Sequence, residues 1–397
     1  MNRFSTIQVL TTLFVFFFIY LKDTNAQSQA DTSQRDLIDY GLKLFKSKPP
    51  RDLDETSRKV RFSIVPVSNA NQDRVAVSAI NLGFYCGDPA KTNLSTVYFY
   101  PYTNFSGRYS FSVLSNIWTS ENIYNPTGDF IISSNSQDDY GLGSASSSDS
   151  AVIIEFNHSR FHAQVSRLMF GFFYVGVGYN LDYYYQLSQE NQDVFITDFE
   201  RYPYGTDPST TSSGITINLT RDSRKNSINP HGGFYTNLSF RIYEPSLGST
   251  YAWNALYADA RKYFPMPTKR RSILALRALY WETFGDVPYL EQPATFTDRE
   301  GRVGRGYPYA RFRGKGMLYG ETEYRFPVSR HQFWGGVLFM NAQSFREPDS
   351  GNFERINPAA GFGLRMKFNK RSDSNLTLDF AFGKDSFNWY LNIGEFF

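Results

Sequence analysis

The chain has 397 residues, a formal net charge of +3, a single cysteine and 18% aromatic residues, with 37 Phe and 28 Tyr among them. One cysteine, Cys86, excludes an internal disulfide, and a charge so near balance excludes the large positive excess of a nucleic-acid binder. So many aromatics suit a transmembrane β-barrel, which sets girdles of them at both membrane interfaces while its lumen face stays polar.

The chain opens with "MNRFSTIQVLTTLFVFFFIYLKDTNAQ". Its apolar run, Val9 to Leu21, is short of the roughly 20 residues of a spanning helix and fits a secretory signal peptide over residues 1–26, cleaved after Thr24-Asn25-Ala26. No cysteine follows that could carry a lipid anchor. The polar stretch 27–60 is expected to be a short periplasmic segment. It holds either an amphipathic helix, with Leu37, Ile38, Leu42 and Phe45 on one face, or a disordered tether, and Pro49-Pro50 ends it.

From residue 61 to 397 the period is two. In "GGFYTNLSFRIYE", Phe234, Leu238, Phe240 and Ile242 oppose Asn237, Ser239 and Arg241. In "MLYGETEYRFPV", Leu318, Thr322, Tyr324 and Phe326 oppose Tyr319, Glu321, Glu323 and Arg325. In "SNLTLDFAFGK", Leu376, Leu378, Phe380 and Phe382 oppose Asn375, Thr377 and Asp379. A half-buried sandwich strand alternates in the same way. Charged residues in mid-strand, the export signal and the aromatic content favour an antiparallel membrane barrel with a wet lumen. Its length suits about 16 strands at about 9–11 residues each plus connections. Stretches such as "SSNSQDDYGLGSASSSDS" read as long external loops. In the closing "SFNWYLNIGEFF", Phe387, Trp389, Leu391, Ile393 and Phe397 share a face. That row is expected to lie in lipid and to end in an aromatic assembly signal, so that loss of Phe397 impairs assembly more than stability.

Little in the sequence suggests catalysis. Of the four histidines, His158 and His162 are spaced as on a metal-binding helix, but in a strand four residues span about 13 Å, too far to share a metal. No G-x-S-x-G elbow, P-loop or H-E-x-x-H is present. No catalytic residue, metal site or cofactor is expected.

Two stretches are more specific. "GITINLTRDSRKNSINPHGGFYTNLSF" presents Asp222, Arg224, Asn226, Pro230 and Gly233 in a strand-and-turn pattern, and "GRGYPYARFRGKGMLYGETEYRFPV" presents Arg305, Gly306 and Tyr307 in a long basic loop. With the terminal Phe397, they resemble the bacterial surface antigen family, the barrel module of BamA/TamA-type outer-membrane insertases. The resemblance covers roughly residues 60–397 and is strongest from 214 on. It implies that a long sixth loop folds back into the lumen, where Arg305 meets acidic wall residues; Glu323 is the expected partner. Where the family carries F-x-D-x-G, this chain has "FMNAQ", so Asn341 stands at an acidic position and the lock is expected to be looser.

The resemblance also implies function. Family members collect clients with periplasmic POTRA modules of about 75 residues, and 27–60 is too short for one, so the chain resembles barrel-only members. The expected role is non-enzymatic: insertion, assembly or export of outer-membrane components in the outer membrane of a Gram-negative-type bacterium. The expected partners are outer-membrane lipid, a separate periplasmic or outer-membrane protein, and unfolded barrel clients, with no nucleic acid. A passive pore or scaffold and an outer-membrane hydrolase are the alternatives. Conductance without a partner would mark the pore, and labelling by active-site probes the hydrolase.

Overall fold

A computed structural model describes residues 35–37, 61–65, 68–69, 75–76, 79–103, 107–148, 151–190, 197–267, 271–370 and 373–397. The expected signal peptide lies outside these residues, as does the expected helix of 27–60 except for 35–37.

The described residues form one antiparallel sheet of 18 strand segments. They are β1 (Arg61–Val65), β2 (Ser68–Asn69), β3 (Val75–Ala76), β4 (Ala79–Phe84), β5 (Ser95–Thr103), β6 (Tyr109–Asn116), β7 (Tyr124–Asp139), β8 (Val152–Phe170), β9 (Phe173–Gln189), β10 (Ser209–Asp222), β11 (Gly233–Tyr243), β12 (Trp253–Pro265), β13 (Ile273–Gly285), β14 (Gly316–Pro327), β15 (Trp334–Phe345), β16 (Asn357–Asn369), β17 (Ser374–Gly383) and β18 (Ser386–Ile393). From β4 to β18 each strand pairs with the next, and β3 and β4 both pair with β5. On the other side of the N-terminal stretch, β1 pairs with β4 and β2 with β18. Counting β1 with β2 and β3 with β4 as single interrupted strands gives 16, the expected number for a barrel of this length.

The alternation read from the sequence sets the faces. Along β14, Tyr319, Glu321, Glu323 and Arg325 are buried while Leu318, Thr322, Tyr324 and Phe326 are only partly covered. On β10 and β11, Ile215, Ile217 and Phe240 are exposed, while Thr216, Asn218 and Ser239 are buried. That is a lipid face outside and a polar lumen inside. Thr377 and Asp379 are buried, whereas Asn237 on β11 borders a lumen cavity. In a Cys86→Ser background, Asn237→Cys is therefore expected to react with a small water-soluble thiol reagent in bilayers, and Phe240→Cys is expected to be shielded. Equal labelling of the two in bilayers would refute the register.

The strands differ in length. β7, β8 and β9 have 16, 19 and 17 residues, whereas β17 and β18 have 10 and 8. The shortest wall is the one where the last strand meets the first. Among the described residues, Tyr390 pairs there with Asn69 and Leu391 with Ser68.

Candidate functional site

Residues 286–315, between β13 and β14, pack into the lumen. Tyr289, Thr295, Val303, Arg305, Tyr307, Ala310 and Arg313 are all within 1% of complete burial. A loop this long needs many contacts to be ordered, and here they come from the barrel wall.

Arg305 is the centre of the site. Its Nε donates to Glu321 Oε1 at 2.8 Å and its Nη1 to Asp379 Oδ2 at 2.8 Å, while Nη2 donates to both Glu321 and Glu323. The guanidinium lies between two rings, 3.7 Å from the centroid of Phe339 and 4.1 Å from that of Phe396. Burial by itself favours the neutral guanidine, but Glu321, Glu323 and Asp379 outweigh it and hold the Arg305 pKa well above its ordinary value. Strand periodicity brings these carboxylates together: Glu321 and Glu323 are i and i+2 on one face of β14, and Asp379 comes from β17.

The expected partner Glu323 is thus one of three. Asn341 does not leave the arginine short of carboxylates, since three meet it, and Asn341 Nδ2 donates to the main-chain oxygen of Arg305 at 2.9 Å. A second ring of charge neutralises the excess. Arg325 Nε donates to Glu323 Oε2 at 2.7 Å, Arg365 pairs with Asp379, and Arg365 Nε donates to Glu395 Oε2 at 2.8 Å.

The neighbours of Arg305 explain the rest of its motif. Gly306 has φ +103°, and a Cβ there would lie 2.6 Å from the Ala359 Cβ, so both conformation and space demand glycine. Its N–H donates to the Tyr390 hydroxyl at 3.1 Å, and the Tyr307 hydroxyl donates to Pro358 O at 2.7 Å.

The strand-and-turn pattern is a compact unit. Arg224 is bidentate to Asp222, with Nε–Oδ1 and Nη2–Oδ2 both 2.9 Å, and stacks 4.3 Å from the Tyr235 ring centroid. Asn226 Oδ1 accepts from the N–H groups of Ile228 and Asn229. Pro230 is buried, and Gly233 takes φ +97° where the chain re-enters the sheet. This turn reaches the far side of the barrel: Asn229 Nδ2 donates to Asp373 O at 3.0 Å and Glu395 N donates to Ile228 O at 2.9 Å.

The last residues require a correction. Trp389, Leu391 and Ile393 pair with Phe380, Leu378 and Leu376, the expected outward row. Phe397 does not join them. Gly394, at φ +89°, turns the chain inward, and Glu395, Phe396 and Phe397 are buried in the lumen. Phe397 packs against Tyr263, its main-chain oxygen accepts from Arg325 at 2.8 Å, and Arg302 donates to Glu395 O at 2.9 Å. An alternation pattern cannot foresee this, because it continues in sequence past the point where the strand stops.

Loop 286–315 leaves a cavity of about 270 Å³ beside it, bordered by Tyr98, Asn218, Asn237, Arg241, Arg299 and Arg302. Above it, His158 and His162 both hydrogen-bond Asp182, at 2.9 and 2.5 Å, and Arg160 joins them at 2.6 Å. The two imidazoles, expected from strand spacing to stay apart, converge on one carboxylate. Among the described residues no cluster of three or more metal-ligating side chains is present.

Glu291, in a short turn at the start of the loop, is pushed up to about 8, first by burial and then by Asp182. Between its ordinary 4.5 and about 8 the freed loop is ionised and the docked loop is not. The stability this group contributes is therefore complete below 4.5, falls as pH rises to about 8 and is flat above it. Trypsin cleavage at the exposed Arg299 is expected to accelerate over this window relative to Glu291→Gln, whose docking lacks that dependence. Parallel pH profiles would refute the assignment.

A family model described as the Omp85 superfamily domain matches residues 107–397. No curated protein matches the sequence. Among solved structures, BamA from Haemophilus ducreyi lacking POTRA domains 1–3 is similar at 12% identity and TM-score 0.51, over 85% of this chain and 70% of that one. CdiB from Acinetobacter baumannii is similar at 12% identity and TM-score 0.55, over 85% and 60%. CdiB from Escherichia coli is similar at 11% identity and TM-score 0.52, over 85% and 68%. At these identities the likeness is one of fold.

Proposed function

The chain belongs to the Omp85 superfamily, and from that premise we propose that it is a non-enzymatic outer-membrane barrel that takes part in inserting, assembling or exporting outer-membrane components. The observation that carries this reading is the contrast between a rigid lumen lock and a weak seam. Arg305 sits among three carboxylates with no exposed surface. Among the described residues the seam between β18 and β2 has two residue pairs, against thirteen between β12 and β13. At about 0.5–1.5 kcal/mol per hydrogen bond, such a seam is held by only a few kcal/mol, and it is the contact that parts first. The locked loop keeps the remaining strands in place while it does so.

In this reading the free edge of β18 offers main-chain donors and acceptors to an incoming strand, and the short β17–β18 wall meets the lipid. Outer-membrane lipid, unfolded barrel clients and a separate periplasmic or outer-membrane protein are its partners. Residues 1–26 are the export signal, 27–60 a periplasmic segment and 61–397 the barrel. Arg305, Gly306 and Tyr307, with Glu323 and Asn341, form the functional lock. The turn Asp222–Gly233 braces the periplasmic mouth.

Quantitative proteomics of outer membranes after depletion tests this proposal. A selective fall in other barrels or exported components is expected. Unchanged levels together with partner-free conductance in planar bilayers would replace it with a passive pore.

A further inference from the structure

Arg305 accounts for one of the basic side chains in "GRGYPYARFRGKG"; those of Arg311 and Arg313 point away from its cage, to segment 140–148 and to β7. Arg313, 1% exposed, directs its Nε to Asp139 Oδ1 at 3.4 Å and its Nη1 to Tyr289 O at 3.2 Å, and the Tyr289 hydroxyl donates to Asp139 Oδ2 at 2.6 Å. The main-chain oxygen of Arg313 accepts from Gly143 N at 2.6 Å. Arg311 Nη2 donates to Ser146 O at 2.8 Å, and its guanidinium lies 4.9 Å from the Tyr140 ring centroid.

These contacts hold the stretch 140–148, which leaves the end of β7 and runs to the other side of the barrel. There Ser144 Oγ accepts from Phe345 N at 2.6 Å, Ser144 N donates to Glu347 Oε1 at 3.2 Å, and Asn357 Nδ2 donates to Ser144 O at 3.2 Å. β7 and β15 stand eight strands apart along the sheet. A segment that leaves one and bonds to the other crosses the mouth.

We propose that the sixth loop is a strut with two anchors: Arg305 fixes it to the β14–β17 wall, and an outer anchor, Arg313 to Asp139 at the end of β7 with Arg311 to Ser146, holds segment 140–148 across the mouth as a lid. The two anchors share no carboxylate, so the outer one can release while the inner one stays locked. The proposal goes beyond the assembly reading and stands whether or not that reading holds.

The test uses the full chain in lipid nanodiscs, with Cys86→Ser and Ser144→Cys as background. Ser144 is 4% exposed and is the lid's own contact with β15, so a maleimide reaches a cysteine there only when the segment lifts. Adding Arg311→Ala and Arg313→Ala is expected to raise the labelling rate about ten-fold or more, the usual effect of losing a charge-assisted contact. Adding Arg305→Ala instead is expected to leave it at the background rate. Heat-modifiable gel mobility reports whether each variant is folded. If the double variant fails to fold, Arg311→Gln alone removes the less buried contact and should still raise the rate. Labelling that stays at background in the folded outer-anchor variants would overturn the proposal. So would an equal rise with Arg305→Ala, which would mean that the loop is held as one unit.

Discussion

Arg305→Ala is expected to destabilise the folded barrel by about 3–5 kcal/mol, because it strips the cation from a buried cage and leaves its carboxylates facing one another. Glu321, Glu323 and Asp379 are each 5% exposed or less, so water does not replace the lost charge. The loss should appear as a lower guanidinium midpoint followed by tryptophan fluorescence, and as faster proteolysis within 286–315. Glu323→Ala should cost less, because Glu321 and Asp379 remain for Arg305, and Arg325 keeps the Phe397 oxygen at 2.8 Å and Glu395 at 3.7 Å. Combining the two substitutions should cost less than the sum of the single ones, since each removes part of the same network. Fully additive losses, or a loop equally resistant to protease in wild type and Arg305→Ala, would refute the cage as the element that holds the loop.

Phe397→Ala is expected to cost about 3–5 kcal/mol, the usual range for emptying a buried aromatic site. The ring is 2% exposed and belongs to the lumen cluster that includes Tyr263, Ile273, Val337, Phe339 and Tyr390. The expectation from sequence is that Phe397 matters for assembly rather than stability, but a side chain inside the barrel contributes in detergent as much as in lipid. Refolding into micelles, with no cellular machinery present, is the discriminating measurement. A lower denaturation midpoint there supports the lumen position, and an unchanged midpoint with defective assembly in cells would restore the signal reading. Trp389→Ala, on the lipid face, should perturb the midpoint less, because micelle chains can fill the space it leaves.

The sequence by itself determined the class of structure and the faces of its strands. A period of two is a local property, and charges in mid-strand such as Glu321 and Asp379 can be tolerated only on a wet or internally paired face. The motif around Arg305 was legible through its resemblance to the family, which implied that the loop folds back into the lumen. The partners of that arginine were only partly legible. Glu323 follows from the next strand, but Asp379 lies 74 residues on, and its position opposite Arg305 depends on how many strands separate β14 from β17 and on their stagger. The inward turn at Gly394, the reach of the 223–232 turn across the mouth and the outer anchor on Asp139 were likewise settled by tertiary structure alone. Each joins residues far apart in the chain through the curvature of the sheet, and alternation along one strand carries no information about which strands curve round to face one another.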